Sequence, residues 1–253
     1  MARIYSKTGT YPKRIEEFSV YKYDGQEDWR VLRRTSGFTV KGMKTDPKYA
    51  NSRNNASEFG RISTLCKQMR LLLGGVLPKK NNLAVCNSLT AVMRKAMAFD
   101  TVSERGERNL ATAFQDERAR QLLVGYDFNP DVCLADVIRM PYCFDAVQSQ
   151  VSFGKFSAAE TIIFPEGANA VGMWLHQLVF NFENGTGVLA SSDMALFSDT
   201  AALDGLVLEC ELPDADGVVF SVLEVQFYEY ADGSYVPVEG KVVCVVGVNC
   251  NVR

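Results

Sequence analysis

The sequence predicts a mixed α+β fold with an N-terminal β-hairpin, a central helical hairpin and a C-terminal antiparallel β-sandwich of immunoglobulin-like or jelly-roll topology. Three observations predict it. Apolar residues recur every three or four positions between residues 56 and 99, runs of β-branched and aromatic residues follow from residue 125 onward, and Gly, Asn and Asp turn signals separate those runs. The expected divisions are 1–45 for an N-terminal arm and hairpin, 46–124 for a helical region, and 125–253 for the β domain. With 253 residues, 47% hydrophobic and 23% charged, the chain has the composition of a globular protein that buries a substantial core.

The first dozen residues contain few large apolar side chains and are expected to form an arm that a partner holds. FSVYKY then alternates, with Phe18 and Val20 on one side and Ser19, Tyr21 and Tyr23 on the other. Asp24 and Gly25 turn the chain into WRVLRR, which completes a hairpin over 18–34. An isolated hairpin is marginal in water, so this one requires a covering partner.

Asp46 and Pro47 form a helix start signal, with a carboxylate able to accept from free amides and a proline where no amide hydrogen is needed. From Ala56, the residues Phe59, Ile62, Cys66, Met69 and Leu73 define one face of a helix that Gly74, Gly75 and Pro78 end. Residues 48–55 hold three asparagines and are either an extension of this helix or a loop. A helical reading gives an element of about 30 residues, roughly 45 Å long. After a short connector, Val85, Leu89, Val92, Met93 and Ala96 form the face of a second helix. It is followed by a charged loop over 101–109 and a third helix over 110–123.

The strand candidates are LHQLVFNF, LVLECEL, VVFSVLEVQFYEY and KVVCVVGVN. Pro165–Gly167, Asn184–Gly185, Asp214–Gly217 and Asp232–Gly233 punctuate them.

The net charge of −3 conceals a division. Residues 1–124 carry 23 Lys and Arg against 12 Asp and Glu, a net of +11, whereas residues 125–253 carry 4 against 18, a net of −14. Helix composition alone can produce such an imbalance, but complementary halves also steer association or draw in nucleic acid. The start, MARIYSKTGTYPKRIEEF, is no secretory signal, and no run of 18 apolar residues occurs. The expected address is therefore the cytoplasm, without membrane insertion; a specialised export route or lysis is the way out of the cell. Seven cysteines without a C-x-x-C pair read as reduced, mostly buried thiols.

Known catalytic constellations are missing from the sequence. The phosphate-loop, dinucleotide-binding and G-x-S-x-G patterns do not occur. His176, the only histidine, lies in a strand pattern where the sequence identifies no nucleophile or partner for it, and reads as structural. Asp214-Ala-Asp216-Gly217 lacks the later acidic ligand of a calcium loop and reads as an acidic turn. No catalytic residue, metal ligand or cofactor is assigned.

Several landmarks occur in order: Tyr21-Lys22, Asp24-Gly25, Asp46-Pro47, Glu58-Phe59-Gly60, Arg105-Gly106-Glu107-Arg108-Asn109 and Gly125-Tyr126-Asp127-Phe128-Asn129. In this, the stretch from 18 to about 129 resembles a family of uncharacterised proteins of Bacteroidota bacteria, in which a strand pair, an E-F-G helix and an R-G-x-R-N turn precede a β domain. The resemblance implies a shared architecture and carries no catalytic residue or ligand.

The functional expectation is a non-enzymatic structural subunit that self-associates into a filament, tube or other large assembly. Tyr21, Tyr23, Trp29, Arg30, Arg33 and Arg34 are the candidate contacts on the basic side, and Asp214, Asp216 and Glu224 the counterparts on the acidic side. The alternative is nucleic-acid binding by the basic half, with Arg30, Arg33, Arg34, Lys41, Lys44 and Lys48 on phosphates and Tyr21, Tyr23 and Trp29 on bases. A carbohydrate-binding or enzymatic β domain is a third class, which an exposed cleft lined by carboxylates or aromatics would favour.

Overall fold

A computed structural model describes residues 2–6, 9–22, 29–34, 40–78 and 82–251. It divides into two compact units, residues 1–53 and 54–253. The protein is mixed helix and strand, with a large antiparallel sheet in its C-terminal part.

The first unit holds β1 (Ala2–Tyr5), β2 (Arg14–Ile15), β3 (Phe18–Tyr21) and β4 (Trp29–Arg34), followed by α1 (Val40–Thr45) and a 3₁₀ turn over Pro47–Tyr49. Its strands form one antiparallel sheet in the order β1-β4-β3-β2. The pairing of β3 with β4 runs from Phe18↔Arg34 to Tyr21↔Val31; the Asp24–Gly25 turn lies outside the described residues. The expected arm is instead strand β1, paired with β4 from Ala2↔Leu32 to Tyr5↔Trp29. Pairing satisfies its backbone groups, a contribution that a count of apolar side chains does not register.

The helix start signal is realised at Asp46, whose Oδ1 accepts from Lys48 N at 3.0 Å. Helix α2 (Ala50–Leu72) begins earlier than Ala56, so the asparagine-rich stretch is helical. Burying Ile62, Cys66 and Met69 stabilises the turns that propensity alone leaves weak. The second unit continues with α3 (Asn82–Met97), two short helices α4 (Leu110–Ala113) and α5 (Glu117–Gln121) where a single third helix was expected, and α6 (Leu134–Val137). Asn109 and Asp116 each cap a backbone amide, so the second cap restarts the helix and breaks the expected one.

The remaining elements are β5 (Tyr142–Asp145), β6 (Gln150–Phe153), β7 (Phe156–Ser157), α7 (Ala158–Thr161), β8 (Ala170–Asn181), β9 (Thr186–Ser191), β10 (Ala195–Ser198), β11 (Ala202–Leu203), β12 (Leu206–Glu209), β13 (Gly217–Ala231), β14 (Ser234–Pro237) and β15 (Val242–Asn251). Long strands β8 and β13 pair from Val218↔Phe180 to Tyr228↔Ala170. Both β9 and β10 add to the other side of β8, and β14 and β15 to the other side of β13. A separate sheet has the order β12-β6-β5.

Both faces of the β8–β13 pair are buried, which explains their nearly uninterrupted apolar sequences. On one face Leu178, Phe180, Phe220, Val222, Val243 and Val245 pack with Ile62 and Met69 of α2, Leu73 just beyond its end, and Leu89 and Met93 of α3. On the opposite face Met173, Leu175, Leu223, Val225 and Phe227 pack with Val151 and Phe153 of β6 and Leu208 of β12. The large sheet is thus the middle layer, with helices on one side and a smaller sheet on the other.

Candidate functional site

Strand register sorts the N-terminal residues onto two faces. Side chains of paired residues project to the same side, so Arg3, Tyr5, Arg14, Tyr21, Trp29 and Arg33 share one face. Ile4, Ile15, Phe18, Val20 and Leu32 share the other with Arg30 and Arg34. The expected cluster of Arg30, Arg33 and Arg34 is therefore divided by the pleat. On the basic face the Arg3 guanidinium lies 4.5 Å from the Trp29 ring centre, a cation–π contact. Arg30 stacks on Tyr11 at 4.4 Å, and Arg34 pairs with Glu17 at 3.1 Å. Tyr21 is 52% exposed. Tyr23 and the Lys41 side chain lie outside the described residues.

None of the described side chains in the first unit is buried. Its apolar face nevertheless carries five large aliphatic or aromatic residues.

Of the acidic counterparts, Asp214 and Asp216 are exposed, as are Asp204, Glu209 and Glu211. Glu224 requires a correction. It is 8% exposed and engaged inside the large sheet, so it offers no carboxylate to a docking surface. A strand buried on both faces defeats the inference that its acidic residues face solvent.

Glu224 belongs to a polar chain that runs across β9, β8 and β13 to Lys241, the residue before β15. Its Oε2 lies 2.9 Å from His176 Nε2, its Oε1 accepts from Lys241 Nζ at 2.7 Å, and His176 Nδ1 lies 2.8 Å from Ser191 Oγ. Each member sits two residues from an apolar residue of the helix-side cluster: His176 before Leu178, Ser191 after Leu189, Glu224 after Val222 and Lys241 before Val243. Side-chain alternation places all four on the helix-bearing face, where they border its apolar part. His176 is 4% exposed, whereas Ser191 is exposed. Lys241 also lines a pocket of about 590 Å³ with Gln226, Asn129 and Glu239. The sequence signals none of this chain, because 48 residues separate His176 from its carboxylate partner.

A second cluster joins the E-F-G and R-G-x-R-N landmarks. Glu58 accepts from Arg108 Nε at 2.9 Å, from Arg108 Nη2 at 2.8 Å and from Gly106 N at 2.8 Å. Arg61 donates to the Gly106 carbonyl and reaches Glu107 at 3.4 Å. Arg108 holds the Glu58 carboxyl below its ordinary value, against a smaller opposing effect of burial and with help from the Gly106 amide. Burial pushes Asp100 upward, but the Ser103, Asn109 and Val102 amides outweigh it and lower its pKa. The third landmark, Gly125 to Asn129, is tied to β15 through Gly125 N→Val245 O and Phe128 N→Val243 O, both 2.7 Å. Asn129 Nδ2 donates to Lys241 O at 2.7 Å.

No protein-family model matches this sequence, and no curated protein or solved structure is similar to it.

The seven cysteines are free thiols, of which Cys66, Cys210 and Cys244 are buried. Burial pushes Cys66 up to about 12 and raises Cys244 as well, which suppresses the thiolate needed for metal binding or attack. Among the described residues no group of three His, Cys, Asp or Glu side chains converges as a metal site, and no helix is long and apolar enough to cross a membrane.

Proposed function

We propose that the protein is a structural subunit that self-associates, its N-terminal sheet docking onto another copy, to build a filament, tube or other large assembly. The observation that carries this reading is the apolar face of Ile4, Ile15, Phe18, Val20 and Leu32, on a four-stranded sheet without a buried side chain among its described residues. A sheet stabilises itself by burying one face, and a second copy supplies a covering surface. Charge supports the same partner. Residues 1–53 carry 12 Lys and Arg against 6 Asp and Glu, while residues 54–253 carry 15 against 24. The exposed Asp204, Glu209, Glu211, Asp214 and Asp216 offer an acidic counterpart, and such pairing steers association most strongly at low salt.

Kinship with the Bacteroidota family and an immunoglobulin-like or jelly-roll character for the β layers belong to this proposal. The first is supported by the Glu58–Arg108 pairing of two landmarks, the second by the β12-β6-β5 sheet opposite β8 and β13.

Light scattering across a wide concentration range, with electron microscopy of the same samples, tests the assembly. Oligomers that grow with concentration and shrink with added salt are expected. A strictly monomeric species at low salt overturns the reading.

One observation favours nucleic-acid binding as a second reading. Arg3, Arg14 and Arg33 share a face with Tyr5, Tyr21 and Trp29, which suits phosphate contact beside base stacking. It predicts binding of single-stranded DNA or RNA that weakens steeply with salt, and lack of binding at low salt removes it.

A further inference from the structure

The row of Ser191, His176, Glu224 and Lys241 is more elaborate than the border of an apolar face requires. Solvated polar side chains would end the face at little cost, yet here an imidazole and a carboxylate are both withdrawn from water, which is expensive unless they are paired. Their pairing also has a direction. A carboxylate held by the Lys241 ammonium accepts and does not donate, so His176 carries its proton on Nε2 toward Glu224. In the neutral ring Nδ1 then keeps its lone pair, and the Ser191 hydroxyl, 2.8 Å away, can donate to it. A buried base that is oriented by a carboxylate and bonded to an exposed hydroxyl is the arrangement that activates a serine.

We propose that Ser191 is a nucleophile and His176 its general base, acting on unhindered carboxylic esters. Ser191 lies at the end of β9, which pairs only with β8 among the described strands, so an ester carbonyl can approach from the open side. The neighbouring Ser192 N bonds to Leu175 O, and antiparallel alternation then turns the Ser191 N–H away from β8. That amide can donate to the developing oxyanion. In the first step Ser191 Oγ bonds to the carbonyl carbon and its proton passes to Nδ1. Collapse of the adduct breaks the bond to the leaving oxygen, which takes the proton from Nδ1 and departs as an alcohol. Water, deprotonated by the same nitrogen, then releases the carboxylic acid and restores Ser191. Glu224 and Lys241 touch no reacting atom and are positioning residues.

A fluorophosphonate probe and p-nitrophenyl acetate test the assignment on the full chain, with the labelled residue mapped by mass spectrometry. The probe is expected to modify Ser191 ahead of every other serine. Ser191→Ala should abolish that label and the ester turnover, and His176→Gln should slow both by roughly 100-fold or more, the lower end of what a positioned base supplies. Ser191 is exposed, so its alanine variant folds even if the His176 variant does not. Absence of label at Ser191, labelling no faster than at other surface serines, or ester turnover unchanged in Ser191→Ala each overturns the proposal.

Discussion

Glu58 shows how one carboxylate can organise a surface loop. It sits on α2, yet its three hydrogen bonds reach Gly106 and Arg108, so it fixes the 105–109 turn against the helix. Gly106 has a φ of +100°, and a Cβ there would lie 2.7 Å from Asn54 Cγ, so glycine is demanded by conformation and by space. With side-chain exposures of 9% for Glu58 and 30% for Arg108, the pair is largely shielded, and removing one charge strands the other. Because Arg108 keeps some contact with water, Glu58→Gln is expected to cost about 1–2 kcal/mol at neutral pH, less than for a fully buried pair. Since the folded carboxyl titrates below its ordinary 4.5, its contribution is complete above that value and declines as pH falls through the lower folded value. Urea unfolding at neutral and acidic pH checks both statements: the gap between wild type and variant should narrow in acid. An equal gap at both pH values would mean that the ion pair is not its source.

At the scale of elements, β15 meets two different demands. Ser221 pairs with Gly247 but Val222 with Val245, so Val246 is an extra residue that bends the strand. The extra residue shifts the alternation, so Val248 beyond it joins Val243 and Val245 on the helix side, where a regular strand would turn Val248 to the smaller sheet. Beside it, the Phe144 ring of β5 lies against Gly247 where any Cβ would overlap it. Gly247→Ala therefore forces β5 or the bulge to move, and a loss of about 1–3 kcal/mol is expected from the overpacking. Thermal unfolding measures it, and an unchanged Tm would show that β5 yields freely. Helices and long strands were legible in the sequence because periodicity and β-branched runs act locally. Val246 and the Phe144–Gly247 contact were not, since a bulge is defined by the partner strand. The same reason hid the polar chain: His176 and Glu224 meet only once β8 and β13 are in register, and register is set by the whole face. Turn signals fared better, as at Asp232 and Gly233, whose φ values of 51° and 79° suit a two-residue hairpin turn.

For the whole molecule, the uneven distribution of buried residues separates stability from association. Both apolar clusters are built from buried residues from Ile62 onward, and among the described residues every buried polar or charged side chain lies at Glu58 or later. The first unit contributes a paired sheet with basic and apolar faces but no core of its own among its described residues. Removing residues 1–45 keeps Asp46, so the cap of the 3₁₀ turn that leads into α2 is preserved. The shortened chain is expected to unfold cooperatively within a few degrees of the full-length Tm, because a small-domain Tm moves by only about 2–8 °C per kcal/mol and little buried area is lost. Self-association, by contrast, should disappear along with the positive charge and the apolar face. Calorimetry and light scattering on the two chains, matched in concentration and salt, distinguish these effects. A shortened chain that still assembles would place the contact in residues 46–253, whereas one that no longer folds would make the N-terminal sheet part of the folding unit.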